Sequence, residues 1–324
     1  MSVKVSIVVP NYNHARFLDE RMTSLLSQTF EDFELIVVDD GSTDNSRAVI
    51  EKYRSDPRVR TLWFEANSGT VFQRWNDGAA LATGDYLMFA NADDACAPTL
   101  LETLVRVLDA QPNVGVACTQ SWEIDAASRR VKIKQGKPRW AADFMVSGVE
   151  EAPYLLTEPT IQNTSAALAR RSLVEQCGGL DLSVGICADW MLCARMLSIS
   201  HLAYVAEPLN YYRKHDRTVR ATKRAGSDIF EQYHVVNFIL GAFALSEQVR
   251  QDAWDRLANL WISKVLIDGW YSDFSQHRRI YRFARAVDPS IHWRVPRLLR
   301  DRALRRIRRR WLQRWQGTER LYLG

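Results

Sequence analysis

Apolar and polar positions along the first third of the chain alternate in blocks. Residues Val3 to Val9 are mostly apolar and β-branched, and the run stops at Pro10 and Asn11, the pattern of a buried strand entering a loop. Leu18, Met22, Leu25 and Leu26 follow at helical spacing. The alternation then repeats. Apolar runs from Phe33 to Val38, Val59 to Phe64, Asp85 to Ala90 and Val114 to Cys118 are separated by helical patterns from Ser46 to Tyr53, near Val71 to Leu81, and from Pro98 to Leu108. Strand and helix taking turns across short loops predict an α/β fold with a mostly parallel sheet flanked by helices. Past residue 119 the pattern loosens into mixed strands and turns, with one more helix near Asp189 to Leu197. From Asp228 the chain reads as helical, and Trp254, Leu257, Ala258, Trp261 and Val265 mark one helix face. The expected organisation is an α/β domain over residues 1–220, a C-terminal helical extension over 221–293, and a basic amphipathic tail over 294–324.

In an open parallel sheet, ligands bind beyond the carboxyl ends of the strands, where helix N-termini and loop amides converge. Four such ends carry polar clusters: Asn11-Tyr12-Asn13, Asp39-Asp40, Asn67-Ser68-Gly69 and Asn91-Ala92-Asp93-Asp94. Asp93 and Asp94 suit a divalent cation that bridges phosphates, because Mg²⁺ or Mn²⁺ needs only one or two protein carboxylates there; the same pair also suits a cap on the helix after Pro98. Asp39 to Asp44 reads as a tight turn with a helix cap, or as a carboxylate that accepts an N–H of a nucleobase. Tyr12 offers a ring to stack on that base, and Arg74 lies within reach of its edge or of the phosphates.

Charge changes the picture at one end only. Between Arg294 and Trp315 ten arginines face one acid, Asp301, so that segment carries +9 of a total of +5 and the rest of the chain carries −4. The body therefore offers no basic groove for nucleic acid. Leu304, Ile307, Trp311 and Trp315 recur at helical spacing among the arginines of residues 297–315. That stripe suits either the interface of an anionic membrane or docking on the protein itself. The five cysteines form no CxxC pair, which excludes a zinc ribbon and fits a reducing cytoplasm. No apolar run reaches membrane-spanning length, since Phe238 to Leu245 covers about half of one. The expected location is the cytoplasm, peripheral on the inner face of the cell membrane.

The ordered series Val5 to Asn13, Ser27 to Phe30, Glu34 to Asp44, Asn67 to Gly69, Arg74 with Asn76, Gly84 to Phe89 and Asn91 to Asp94 resembles the successive motifs of family 2 glycosyltransferases. The resemblance continues through Gly178 to Asp181, Asp189-Trp190 and Tyr212 to His215, so it spans about residues 3 to 218. It implies a GT-A fold, an inverting transfer, and a nucleotide-diphosphate sugar as donor, with Mn²⁺ or Mg²⁺ as cofactor. Position by position it implies that Pro10, Tyr12, Asp39, Arg74 and Asn91 hold the nucleotide. Asp93, Asp94 and His215 would bind the metal, Arg213 the diphosphate, and Asp189 would be the catalytic base.

Two positions depart from the family pattern. Asn91 replaces an aspartate, which removes one negative charge, and Ala188 replaces the glutamate that often precedes the base. The expected reaction moves a sugar, from a UDP-sugar by preference, to a hydroxyl of a glycan or lipid-linked acceptor in cell-surface polysaccharide synthesis. The alternative is a catalytically silent nucleotide-sugar binding protein. A dinucleotide-dependent oxidoreductase is excluded, because Pro-Asn-Tyr-Asn follows the first strand where a Gly-x-Gly-x-x-Gly turn is required.

Overall fold

In the computed structural model the described residues are 3–134, 138–215, 229–267 and 274–319, with helix backbone alone described at 138, 265–267, 276 and from 306 onward. The chain divides into two compact units, residues 1–223 with 241–243, and residues 224–240 with 244–324.

The first unit begins with β1 (Val5–Asn11), α1 (Ala15–Leu26), β2 (Phe33–Asp40), α2 (Ser46–Glu51), β3 (Val59–Phe64), α3 (Val71–Ala79) and β4 (Tyr86–Phe89). Every residue of β1, β2 and β4 is buried, as expected of parallel strands covered by helices on both faces. Arg21 joins Leu18, Met22 and Leu25 on the buried face of α1. Helix α3 starts at Thr70, whose hydroxyl accepts the N–H of Phe72. It lies so close to the sheet that a Cβ on Gly78 would meet a methyl of Val8 at 2.3 Å.

The chain continues through β5 (Ala95–Cys96), α4 (Leu100–Ala110), β6 (Val114–Ile124), β7 (Arg130–Ile133), β8 (Phe144–Ser147), α5 (Gly148–Leu155), β9 (Ala167–Arg170), α6 (Arg171–Gln176), α7 (Ala188–Leu197) and β10 (His201–Arg213). The sheet of described residues has ten strands, with the path β3-β2-β1-β4-β9-β6-β10-β5. It is mixed. The first four strands run parallel, β9 is antiparallel to both β4 and β6, and β6 and β10 are parallel again. Strand β6 also runs beyond Cys118, because Thr119, Gln120, Ser121 and Glu123 are polar yet buried and so do not look like a strand in sequence.

Two registers build the site. Asn11 at the end of β1 sits beside Asp39 of β2. Short β5 pairs antiparallel with β10, Tyr211 opposite Ala95 and Asn210 opposite Cys96, so the residues after Tyr211 run back past Asp94 and Asp93.

The second unit contains α8 (Ile229–Ala242) up to Leu240, α9 (Glu247–Ile267), α10 (Phe274–Val287) and α11 (Ile291–Glu319). Trp254, Leu257 and Ala258 of the expected stripe are buried, Trp261 is half-buried, and the side chain of Val265 lies outside the described residues. Tyr233 stacks on Trp254 with ring centroids 6.0 Å apart. The basic stretch from residue 294 belongs to this unit, and its first turns pack on α9: Arg294 and Arg297 pair with Asp255, and Arg302 bonds the Ser263 hydroxyl. The side chains of Ile307, Trp311 and Trp315 lie outside the described residues. No helix among the described residues is long and apolar enough to cross a membrane.

Candidate active site

The carboxyl edge of the first four strands assembles from side chains that hold each other. Asp39 Oδ2 accepts the Asn11 side-chain amide at 2.8 Å, and its Oδ1 accepts the main-chain N–H of Ser42 at 3.0 Å. Gly41 makes this turn at φ +72, and a Cβ there would lie 2.8 Å from the Ala66 backbone. Pro10 is buried within β1, whereas Tyr12 is 41% exposed and presents its ring at the rim.

Arg74 pairs with Asp40 and Asp77 rather than with Asp39. Asp40 also accepts the Ser68 N–H at 2.9 Å and the Asn67 amide at 3.0 Å, which ties the third loop to the second strand. The guanidinium lies 3.3 Å over the centre of the Phe64 ring, which covers one of its faces. Asp40 had no separate signal in the sequence, where either aspartate of the pair suits a strand end.

At the fourth strand end the two aspartates take different surroundings. Asp94 is 1% exposed; its Oδ1 accepts the Arg213 N–H at 2.9 Å, and its Oδ2 accepts from Ser165 at 2.7 Å, Asn163 at 2.9 Å and Asn91 at 3.3 Å. Burial pushes its carboxyl up, and the charge of neighbouring Asp93 adds to that, while the Arg21 charge opposes it. Asp93 instead faces His215, with Oδ2 3.0 Å from Nε2. Burial would raise this carboxyl too, but the His215 hydrogen bond and the charges of His14 and His215 outweigh it and hold Asp93 below the usual carboxylate range.

His14 completes the group. One ligand atom from each of His14, Asp93 and His215 lies within 4.8 Å of the others, and this is the candidate cation cluster found among the described residues. Asn13 sets His14 in place at φ 58, with its amide oxygen accepting the N–H groups of Thr43 and Asp44 at 2.8 and 3.1 Å. Burial pushes the imidazole below its ordinary value, which leaves it neutral with a lone pair to give. Its Nδ1 is buried without a hydrogen-bond partner. An orphaned ring nitrogen beside a carboxylate and a second imidazole fits a divalent cation.

Arg213, expected at the diphosphate, turns its guanidinium into the protein. It donates to the Asp93 carbonyl at 2.6 Å, the Asp125 carbonyl at 3.0 Å, Ser128 at 2.9 Å and Glu20 at 2.6 Å, and its side chain is fully buried. Asn91 is likewise drawn inward, to Asp94 and Asn163. Asp189 stands in the first turn of α7, half-buried, with Oδ1 accepting the Trp190 N–H at 2.8 Å. It is not a member of the His14, Asp93 and His215 cluster. Asn163 and Ser165, which fix Asp94, come from a loop whose spacing gave no sign of them.

Residues 6–178 match the sequence profile described as glycosyl transferase family 2. An uncharacterized glycosyltransferase of Nostoc sp. is 28% identical over 309 residues, covering 87% of this chain and 94% of that protein. A poly(ribitol-phosphate) beta-N-acetylglucosaminyltransferase of Staphylococcus aureus, TarS, is 33% identical over 109 residues, covering 33% of this chain and 19% of that protein. The crystal structure of TarS residues 1–349 in complex with UDP-GlcNAc resembles this one with a TM-score of 0.65 at 19% identity, over 90% of this chain and 84% of that one. A mannosyltransferase from Pyrobaculum calidifontis, in complex with GDP-Man and Mn²⁺, gives a TM-score of 0.50 at 18% identity over 94% and 81%. Likeness at these identities speaks for the GT-A fold. The profile match spans more than half of the chain, on a sheet whose strand ends gather the side chains described above, and the protein is therefore a glycosyltransferase that belongs to glycosyl transferase family 2.

Proposed function

We propose that the protein is an inverting transferase that moves a sugar from a nucleotide-diphosphate donor, a UDP-sugar by preference, to a hydroxyl of a glycan or lipid-linked acceptor in cell-surface polysaccharide synthesis. The observation that carries the reading is the Asp93–His215 contact of 3.0 Å, made at the carboxyl edge of the sheet beside the rim that Tyr12 occupies. The nucleotide complexes of TarS and of the mannosyltransferase support a nucleotide-sugar donor.

Tyr12 stacks on the base in this reading, and Asp39 presents an acceptor oxygen to its N–H groups, with Arg74 held at the base edge by Asp40. Pro10 and Asn91 shape the floor beneath the ribose. Asp93 and His215 would hold the divalent cation, Mn²⁺ or Mg²⁺, which when bound would supply positive charge to the departing diphosphate. Asp94 and Arg213 keep Asp93 and His215 in register. Arg213 contributes its fixed positive charge to the same side of the cleft.

Asp189 accepts the proton of the acceptor hydroxyl. The acceptor oxygen then forms its bond to the anomeric carbon as the bond from that carbon to the diphosphate oxygen breaks, and the electron pair leaves with the diphosphate. A positioned base typically contributes about 10² to 10⁴-fold in rate. Asn91 and Ala188 favour a second reading, a silent nucleotide-sugar binding protein, which predicts donor binding without hydrolysis or transfer.

The location proposed is cytoplasmic, peripheral on an anionic membrane face through residues 297–315. The test of the donor reading is a melting-temperature panel of UDP-, GDP- and other nucleotide sugars with Mn²⁺ and with excess EDTA, since a ligand of the native state raises the melting temperature by mass action. The expected result is a rise with a UDP-sugar that EDTA removes. A flat panel in both conditions overturns the donor assignment.

A further inference from the structure

A cation held by Asp93 and His215 needs further ligands, and their chemistry decides which ion the site favours. Asp94, one of the two aspartates expected there, spends both oxygens on Arg213, Ser165, Asn163 and Asn91 and is 1% exposed. Releasing it would leave several buried donors unpaired, at about 1–3 kcal/mol each. Asn91 replaces a carboxylate with an amide, and this amide turns to Asp94. The oxygen donors available to a cation at this strand end are thereby reduced to those of Asp93.

His14 stands where the missing donor would be needed. Its ligand nitrogen falls within 4.8 Å of a carboxylate oxygen of Asp93 and a ring nitrogen of His215. Its Nδ1 is the ring nitrogen buried without a partner, and an unpaired buried polar atom is a cost that a native structure carries for a reason. The His14 ring meets the His215 ring edge to face at 6.2 Å, and Phe17 of α1 packs against His215 at 4.9 Å, so the His215 ring is braced from both.

We propose that His14 is a third protein ligand, and that the resulting set of two imidazoles and one carboxylate selects a transition metal such as Mn²⁺ or Co²⁺ over Mg²⁺. The inference rests on the metal reading of the previous section and adds to it both a ligand and a selectivity. Mg²⁺ prefers oxygen ligands and gives up its waters reluctantly, whereas imidazole suits first-row transition metals and binds Co²⁺ more strongly than Mn²⁺. A site with Asp93 and Asp94 as ligands would show the opposite preference, toward a hard cation.

The experiment titrates the full-length protein with Mn²⁺, Co²⁺ and Mg²⁺ by calorimetry, with and without UDP, and records the electron spin-echo modulation of bound Mn²⁺. The wild type is expected to bind Mn²⁺ and Co²⁺ at least about tenfold more tightly than Mg²⁺, with modulation from two imidazole nitrogens. His14→Ala and the bulkier His14→Gln are expected to weaken Mn²⁺ by about 100-fold, at least the loss that removal of a supporting residue already causes, and to leave one nitrogen. Melting of the metal-free variants controls for folding. If both folded variants keep the wild-type affinity and both nitrogens, His14 is not a ligand and the inference falls while the metal reading stands. If the wild type binds none of the three ions, with or without UDP, the metal reading itself falls.

Discussion

The Asp94 carboxylate accepts the main-chain N–H of Arg213 at 2.9 Å, which joins the end of the fourth strand's loop to the end of β10 across 119 positions of sequence. The bond fixes where the chain stands two residues before His215. Through it the third and last parts of the first unit meet at one place, and Asp93 and His215 reach each other at 3.0 Å.

Asp94→Ala should therefore act through both stability and the cation. The variant leaves the Ser165 hydroxyl, the Asn163 amide and the Arg213 N–H without their acceptor, and unpaired buried donors cost about 1–3 kcal/mol each. Urea unfolding should show a loss of about 3 kcal/mol or more, and calorimetry should show weaker Mn²⁺ binding because His215 is no longer held. A variant as stable as the wild type would mean that the carboxylate does not hold this junction.

Asp189→Asn separates binding from transfer. Its oxygen can still accept the Trp190 N–H that Asp189 accepts at 2.8 Å, so the start of α7 keeps its geometry. Donor affinity should be unchanged in the melting panel, and the rate of transfer to a competent acceptor should drop by about 10² to 10⁴-fold, the usual contribution of a positioned base. Turnover at the wild-type rate would remove Asp189 from the reaction.

The first four strands and their helices were legible because each is a short apolar run closed by polar residues, and that alternation has one stable solution. The polar clusters at the strand ends were legible for the same reason. What the pattern hid were side chains that are polar and buried. Thr119, Gln120, Ser121 and Glu123 carry β6 well past Cys118, and Asn163 and Ser165 reach Asp94 from a distant loop. His14 was hidden by its ordinary place before a helix; only the fold brings its ring beside His215. Arg213 was identified from its motif, and its inward direction depends on Glu20, Asp125 and Ser128, which no local spacing connects to it.

Acid should loosen the second unit first around Asp288 and Arg294, which are 4% and 3% exposed and bonded at 2.7 Å. Burial alone would raise the Asp288 carboxyl, but the bonds from Arg294 and Ser290 and the Arg294 charge hold it below its ordinary value. A carboxyl depressed in the folded state stabilises the fold fully above the unfolded value of about 3.9, and that contribution is lost as pH falls through the folded value. Asp288→Asn, which breaks one partner of a buried pair, should cost about 3–5 kcal/mol at pH 7. The gap between variant and wild type should narrow below about pH 4. Hydrogen exchange of peptides from α9 and α11 reads this directly, and a gap that stays constant from pH 7 to pH 3 would contradict it.

The basic end of the chain can be tested only by changes that spare its packing. Arg294 and Leu298 are buried in α11 and Arg302 is half-buried, four residues apart, and the two arginines bond α9. Truncation after Ser290 would strip Asp255 and Asp288 of Arg294 and would report on folding. Trp293, Arg300 and Leu304 recur at i, i+7 and i+11 on another face; Trp293 is 74% exposed and Leu304 56%. Arg300→Glu with Arg305→Glu changes exposed positions and, of the ion pairs among the described residues, gives up the surface contact of Arg300 with Asp301. A basic residue at an anionic surface is worth about 1 kcal/mol, so reversing two should weaken co-sedimentation with phosphatidylserine-containing vesicles by at least about 2 kcal/mol, roughly 30-fold in affinity. Melting of the variant should match the wild type. Neutral vesicles should bind neither protein, and raised salt should release the wild type. Vesicle binding that survives both charge reversals unchanged would assign the exposed face of α11 to something other than an anionic membrane.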